Sequence, residues 1–146
     1  MATLPLIFVL NGPNLNLLGT REPHIYGSDS LDDIAARLSD QARELGVALD
    51  IRQSNHEGHL IDWLHEAQAT GAKAVVLNAG GYSHTSVALH DAVRAIATPV
   101  ISVHLSDPDT REPFRHTDLV ALAATQLIKG QGARGYALAL DAAARL

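Results

Sequence analysis

The sequence predicts an α/β domain in which a parallel sheet carries helices on both of its faces. Three observations predict this class. Short apolar runs alternate about five times with longer amphipathic stretches, the chain has 146 residues, and 47% of them are hydrophobic. That length fits a single domain over residues 1–146, and that composition can bury a sizeable core.

Each predicted strand is a short apolar run that ends at a polar or glycine-rich turn. Continuous apolar runs are typical of strands buried on both faces, as in parallel sheets. The amphipathic stretches between them supply the crossovers that parallel neighbours need. The strands are predicted over residues 6–10, 47–52, 74–77, 100–105 and 127–128.

Apolar residues at helical spacing occupy the segments between these runs. In the first helix, Ser30 can cap a stripe that starts at Leu31, with Asp33 as its capping-box partner, and Gly46 ends it. The remaining helices are predicted around residues 60–67, 84–96, 119–124 and 136–146. Residues 11–29 and 106–117 are predicted loops, and a loop as long as the first is usually a lid or a binding loop.

Charge and composition argue against several classes of function. The net charge of −5 disfavours a nucleic-acid partner or an anionic membrane, because both attract a basic face. No apolar run approaches the ~20 residues that span a bilayer, and no convincing signal peptide is present. The chain has no cysteine, so disulfides, thiolate nucleophiles and cysteine-bound zinc are excluded. We expect a cytoplasmic protein by default.

Polar residues cluster in the loops that follow the first, third and fourth strands. In an open parallel sheet, ligands bind at the carboxyl ends of the strands, near the point where strand order reverses. The predicted site therefore combines asparagine, arginine, tyrosine, histidine and serine, a polar and cationic set that suits a small oxygen-rich anion. These residues come from segments 11–14, 21–26, 78–84 and 104–107, followed by Arg111 and Arg115.

Plainer interpretations of the same residues stay open at this point. Residues 11–14 could be an ordinary turn, and His104 could be a hydrogen-bonded core histidine. His56 and His59 resemble a metal pair, but no third ligand is obvious, so we expect no metal. Neither dinucleotide nor P-loop glycine motifs are present, and Gly80 with Gly81 would make only a modest anion site.

Five stretches, taken together, carry a family resemblance. They occur in the family order, and the resemblance as a whole extends from about residue 6 to residue 140, which is nearly the whole chain. On them the chain resembles the type II 3-dehydroquinate dehydratases. The stretches are residues 11–23, 25–27, 52–58, 84–89 and 111–115.

The resemblance implies a fold, an assembly and a reaction. The fold is flavodoxin-like with strand order 2-1-3-4-5, and the assembly is a homododecamer built from trimers. The reaction is a hydro-lyase step (EC 4.2.1.10), the dehydration of 3-dehydroquinate to 3-dehydroshikimate in the shikimate pathway or in quinate catabolism. It proceeds by anti elimination through an enolate, without metal, cofactor or Schiff base. The sequence by itself also disfavours a Schiff base, because Lys73 precedes the third strand and Lys129 lies in or beside the fifth.

The resemblance also implies roles for particular residues. Tyr26 is the base that removes the proton from carbon 2, and Arg21 on the lid favours its phenolate. Asn14 orients a water at the developing enolate. His104 is our choice of general acid, with His84 as the lesser alternative. The substrate-binding residues implied are Asn78, His84, Leu105 through its backbone, Ser106, Arg115 and, from a neighbouring subunit, Asp91.

A tyrosine base needs cationic help, because free tyrosine has a pKa near 10 and burial disfavours its phenolate. Arg21 must therefore lie very close to Tyr26, or a second arginine must assist, and Arg111 and Arg115 are the candidates.

Two departures from the family pattern border the predicted site. Ser102 stands where members often carry glutamate near the histidine, and Asp107 stands where asparagine is usual. Elsewhere, Thr117 and Asp118 replace the common His-Ser pair. Ser102 and Asp107 motivate one alternative, a weakened paralogue that only binds. The others are a nucleotide- or flavin-binding module and a metal-dependent hydrolase.

Overall fold

The computed structural model describes residues 3–20 and 22–146, so Arg21 lies outside the described residues. The sheet has five strands in the order β2-β1-β3-β4-β5, and every neighbouring pair is parallel. This confirms the predicted fold class and strand order. The strands are β1 (Leu6–Asn11), β2 (Ala48–Gln53), β3 (Ala74–Asn78), β4 (Val100–Val103) and β5 (Gln126–Ile128).

Six α-helices occur among the described residues, and they cover both faces of the sheet. Alternate residues of β1 point to opposite faces, so Ile7 and Val9 enter one core while Phe8 and Leu10 enter the other. No helix in the described part of the chain is long and apolar enough to cross a bilayer. The helices are α1 (Pro23–Tyr26), α2 (Leu31–Leu45), α3 (Glu57–Ala69), α4 (Val87–Ala95), α5 (Leu119–Ala123) and α6 (Arg134–Ala144).

The predicted capping box at the start of α2 is confirmed. The Ser30 hydroxyl accepts a hydrogen bond from the Asp33 backbone N–H at 3.1 Å, and the Asp33 carboxylate accepts one from the Ser30 N–H at 3.0 Å. Gly46 closes the helix in the left-handed conformation, as expected for a C-terminal glycine.

Three predicted boundaries are wrong. Residues 80–84 form a 3₁₀ turn, and α4 starts only at Val87, where the Ser86 hydroxyl accepts from the Leu89 N–H. Strand β4 ends at Val103, so His104 and Leu105 lie beyond the last strand residue. The predicted loop at 11–29 contains a 3₁₀ turn and α1, which begins at a proline in its first turn.

A close backbone contact joins the loops that follow β1 and β3. The Gly12 N–H donates to the Asn78 carbonyl at 2.8 Å. A Cβ atom at Gly12 would lie 2.7 Å from the Ala79 carbonyl oxygen, well inside van der Waals contact. Only glycine therefore allows the two loops to meet, and the meeting point is the edge of the sheet where ligands bind in this class of fold.

Candidate active site

A cavity of about 180 Å³ opens at the carboxyl ends of β1, β3 and β4. It is smaller than the ~300–1,000 Å³ typical of drug-sized ligand pockets, so it suits a small metabolite better than a flavin. Among the described residues that line it, two are arginines and none is an aspartate or a glutamate. These residues include eight that the sequence predicted: Asn14, Tyr26, Asn78, His84, His104, Leu105, Ser106 and Arg115.

Two predicted site residues are not brought into this cavity by the described chain. Asp91 lies on α4, is exposed, and does not line the cavity of its own chain. Arg21 lies outside the described residues. The roles suggested for both therefore stay predictions.

Arg111 is the arginine that contacts Tyr26 from the loop after β4. Its Nη1 donates to the Tyr26 hydroxyl oxygen at 2.8 Å and lies 3.4 Å from the Ser106 hydroxyl. The guanidinium carbon also lies 5.1 Å from the centre of the tyrosine ring. Arg115, the other candidate, donates through Nε to the Glu112 carboxylate at 2.6 Å instead. Arg111 can thus stabilise negative charge on the Tyr26 oxygen directly.

His104 is buried and pairs with a carboxylate from α5. Its Nε2 lies 2.8 Å from Oδ2 of Asp118, and the two side chains are 7% and 16% exposed. Burial raises the pKa of Asp118, but hydrogen bonds from His104 and from the Ala121 backbone N–H outweigh it. The pKa of Asp118 therefore lies below its usual value, and the carboxylate is ionised at neutral pH.

His84 lies beside His104 with its ring nearly parallel. The ring centroids are 6.1 Å apart and the planes differ by 12°. His84 Nδ1 is 2.8 Å from the Thr117 carbonyl oxygen. A carbonyl can only accept, so Nδ1 carries the proton and Nε2 of neutral His84 is the acceptor.

Asn14 is held at the cavity by its backbone. Its φ of 69° is left-handed, a conformation that asparagine tolerates well, and its N–H donates to the Asn55 side-chain oxygen at 3.0 Å. The backbone contact leaves the Asn14 side chain available to a ligand. Asn55 was not among the predicted site residues, although it lies in the stretch 52–58 that carries the family resemblance.

Asn78 belongs to a buried hydrogen-bond network beneath the cavity. Its amide donates to the Tyr136 hydroxyl at 3.0 Å, and its amide oxygen accepts from the Gly80 N–H at 3.2 Å. Tyr136 in turn donates to the Asn11 side-chain oxygen at 2.6 Å. Burial raises the pKa of Tyr136, so its hydroxyl stays protonated. One N–H of Asn78 remains for a ligand.

The two lysines, and the pair His56 and His59, lie outside the cavity. Neither Lys73 nor Lys129 lines the cavity, and the Lys129 ammonium is 2.5 Å from Asp109 and 3.3 Å from Asp107. His59 Nδ1 is 2.7 Å from the Ser54 hydroxyl, beside His56. Within residues 3–20 and 22–146, no group of three or more potential metal ligands is found.

Comparison with known proteins shows the family. The class II dehydroquinase family model matches residues 5–144. The chain belongs to the class II dehydroquinase family. A 3-dehydroquinate dehydratase from Caulobacter vibrioides is 56% identical over 94% of this chain and 93% of that protein.

Solved structures of class II dehydroquinases share the fold. The type II dehydroquinase of Propionibacterium acnes has a TM-score of 0.94 and 42% identity, and each chain is covered completely. That of Butyrivibrio crossotus also has a TM-score of 0.94, with 36% identity over 97% of this chain and 99% of the other. The family suggested by the sequence motifs is therefore confirmed.

Asp118 is the residue at the site whose part the sequence did not predict. It appeared only as a departure from the class II pattern, with no partner assigned. The available signal was an aspartate directly before an apolar helical stretch, which indicates a helix N-cap. That signal predicts the cap but not the second oxygen's contact with His104.

Proposed function

We propose that this class II dehydroquinase dehydrates 3-dehydroquinate to 3-dehydroshikimate by anti elimination through an enolate. One observation carries the proposal. A tyrosine hydroxyl held by a partly buried arginine and a histidine held by a partly buried carboxylate line the same small cavity. An elimination next to a ketone needs such a pair, a base for the α-proton and an acid for the leaving hydroxyl.

Tyr26 acts as the base in this proposal. Its oxygen accepts from Arg111 at 2.8 Å, and as the phenolate it removes the proton from carbon 2. The electrons released pass to the ketone oxygen and form an enolate. Asn14 lies at the cavity and, through a water molecule, supplies a hydrogen-bond donor to that oxygen.

His104 acts as the acid. A proton moves from its ring to the hydroxyl at carbon 1, the carbon–oxygen bond breaks, and water leaves. The enolate electrons form the new carbon–carbon double bond. His84 lies 6.1 Å away, ring to ring, and its Nε2 serves as a hydrogen-bond acceptor for a substrate hydroxyl rather than as the acid.

The remaining lining residues bind the substrate. We assign its carboxylate to the Leu105 backbone and the Ser106 hydroxyl, and a ring hydroxyl to Arg115. Asn78 offers the N–H that the Tyr136 network leaves unused. A lysine imine is no part of the proposal, because neither lysine reaches the cavity.

We infer that residues 1–146 act as one catalytic domain in a cytoplasmic homododecamer, a tetramer of trimers, in which Asp91 reaches the site of a neighbouring subunit. Support comes from apolar side chains that a lone chain leaves exposed, Val87 at 60%, Phe114 at 65% and Leu122 at 73%. Sedimentation velocity tests this inference: the expected mass is twelve times 15.5 kDa, and a monomer would contradict it.

The activity is tested with purified protein that has been treated with EDTA. It is mixed with 3-dehydroquinate, and the ultraviolet absorbance of the conjugated enone is followed. We expect a rise at an undiminished rate, because no step of the proposal uses a metal. A folded protein that gives no rise would refute the proposal, and a yellow preparation would point to a flavin-binding module instead.

A further inference from the structure

In the His104–Asp118 pair, only the histidine lines the cavity. The imidazole rather than the carboxylate is therefore available to a ligand. An imidazole has two nitrogens, and Asp118 holds Nε2. Proton exchange with a ligand therefore falls to Nδ1.

Asp118 is itself held in place independently of His104. It is the N-cap of α5, and its Oδ1 accepts from the Ala121 N–H at 2.9 Å while Oδ2 contacts His104. Val120 in the same helix is fully buried, which anchors the helix start. Both carboxylate oxygens thus have separate fixed partners, and the imidazole is oriented by a group that cannot easily rotate away.

The strand that leads to His104 offers no charge of its own. Ser102 lies in β4, two residues before His104 in the sequence. The Ser102 hydroxyl is buried and has no hydrogen-bond partner among the residues that the structure describes. The carboxylate that contacts His104 within the described part of the chain therefore comes from α5, sixteen positions after Ser102 in the sequence.

We propose that Asp118 is a positioning residue for the elimination, supplying from α5 the carboxylate that β4 lacks. It orients His104 with Nδ1 toward the substrate and balances the charge of the imidazolium. When Nδ1 gives its proton to the departing hydroxyl, the Nε2–H stays bonded to Asp118 and the ring remains in the correct tautomer. This inference rests on the proposed dehydratase function.

Two substitutions separate this role from the helix cap. Asp118→Ser keeps a capping hydroxyl for Ala121 but removes the carboxylate from His104. Asp118→Asn keeps the side-chain shape and the helix cap, but its NH₂ group faces His104 Nε2. That group cannot accept a hydrogen bond from the Nε2–H. Asp50→Asn is the matched control, since Asp50 is an ion-paired aspartate on β2 that lies outside the cavity.

The test is steady-state turnover of 3-dehydroquinate by the parent and the three variants, with thermal unfolding as a check on folding. We expect both Asp118 variants to lose about 100-fold in kcat, at the lower end of what a positioned general acid contributes. Their KM should stay within about threefold of the parent, because Asp118 does not touch the substrate. Asp50→Asn should match the parent in both constants.

Two results would overturn the proposal. One is a folded Asp118→Ser or Asp118→Asn protein with kcat within about threefold of the parent. The other is a loss that appears in KM alone. If the parent itself forms no enone, the dehydratase function fails and this inference fails with it, so the two failures are distinguishable in one experiment.

Discussion

Replacing Arg111 with alanine removes the hydrogen bond that reaches the Tyr26 oxygen at 2.8 Å. Tyr26 then loses a cation that is mostly shielded from water, because the Arg111 side chain is only 13% exposed. The substitution should leave the fold intact, since Arg111 lies in a loop rather than in a helix or strand. Its effect should therefore fall on the chemical step.

The size of the effect follows from Coulomb's law. Two unit charges about 4 Å apart at an effective dielectric constant of about 20 interact by about 4 kcal/mol. At 1.36 kcal/mol for each factor of ten, full loss of this energy would slow the reaction about a thousandfold. Water that fills the space will recover part of it, so we expect kcat to fall about a hundredfold.

The assay is enone formation from 3-dehydroquinate by the parent, Arg111→Ala and Arg111→Lys. Lysine restores the charge but not the planar guanidinium group, so the kcat of Arg111→Lys should be about tenfold higher than that of Arg111→Ala. Arg43→Ala is the matched control, because Arg43 is an exposed arginine on α2 that pairs with Asp40. A kcat for Arg111→Ala within about threefold of the parent would refute the assignment of Arg111 as the tuning charge.

Two further predictions concern stability. Gly12→Ala should lower the free energy of unfolding by about 1–3 kcal/mol, because its Cβ would overlap the Ala79 backbone. The control is Gly58→Ala in α3, whose Cβ would meet nothing within 4 Å and which should be neutral or stabilising. Equal melting temperatures for the two variants would contradict this. The lowered pKa of Asp118 means that its ionised form adds stability above about pH 4, which is lost as the pH falls through the folded-state pKa. Between neutral and acidic pH, the free energy of unfolding should therefore change less for Asp118→Asn than for the parent. Superimposable curves of unfolding free energy against pH for the two proteins would contradict this.

Much of the architecture was predictable because it depends on local patterns. Strand β1 is a continuous apolar run since both of its faces are buried, and α2 carries its cap residues within three positions. The start of α4 was not predictable in this way. Gly80 adopts a φ of +58° where a Cβ would press on Pro13, and residues 80–84 form a 3₁₀ turn, so the helix starts only after its N-cap, Ser86.

In the candidate site, too, some features could be predicted from the sequence and others depend on contacts between distant segments. Residues at the carboxyl ends of strands could be selected from topology, and eight of them do line one cavity. Which arginine meets Tyr26 depends on the path of the loop through its proline-led turns, and that path turns Arg111 inward while Arg115 pairs with Glu112. His104 and Asp118 are fourteen residues apart in the sequence, and the hydrophobic periodicity that predicts helices and strands does not reveal their contact.

The role of Tyr26 as the base is tested by the initial rate of enone formation, measured side by side for EDTA-treated parent protein and for Tyr26→Phe. We expect rapid enone formation by the parent. Tyr26→Phe should lose nearly all turnover but still bind the substrate, because only the transition state requires the base. An inactive parent, or a Tyr26→Phe protein that turns over at a near-normal rate, would refute the proposed dehydration mechanism.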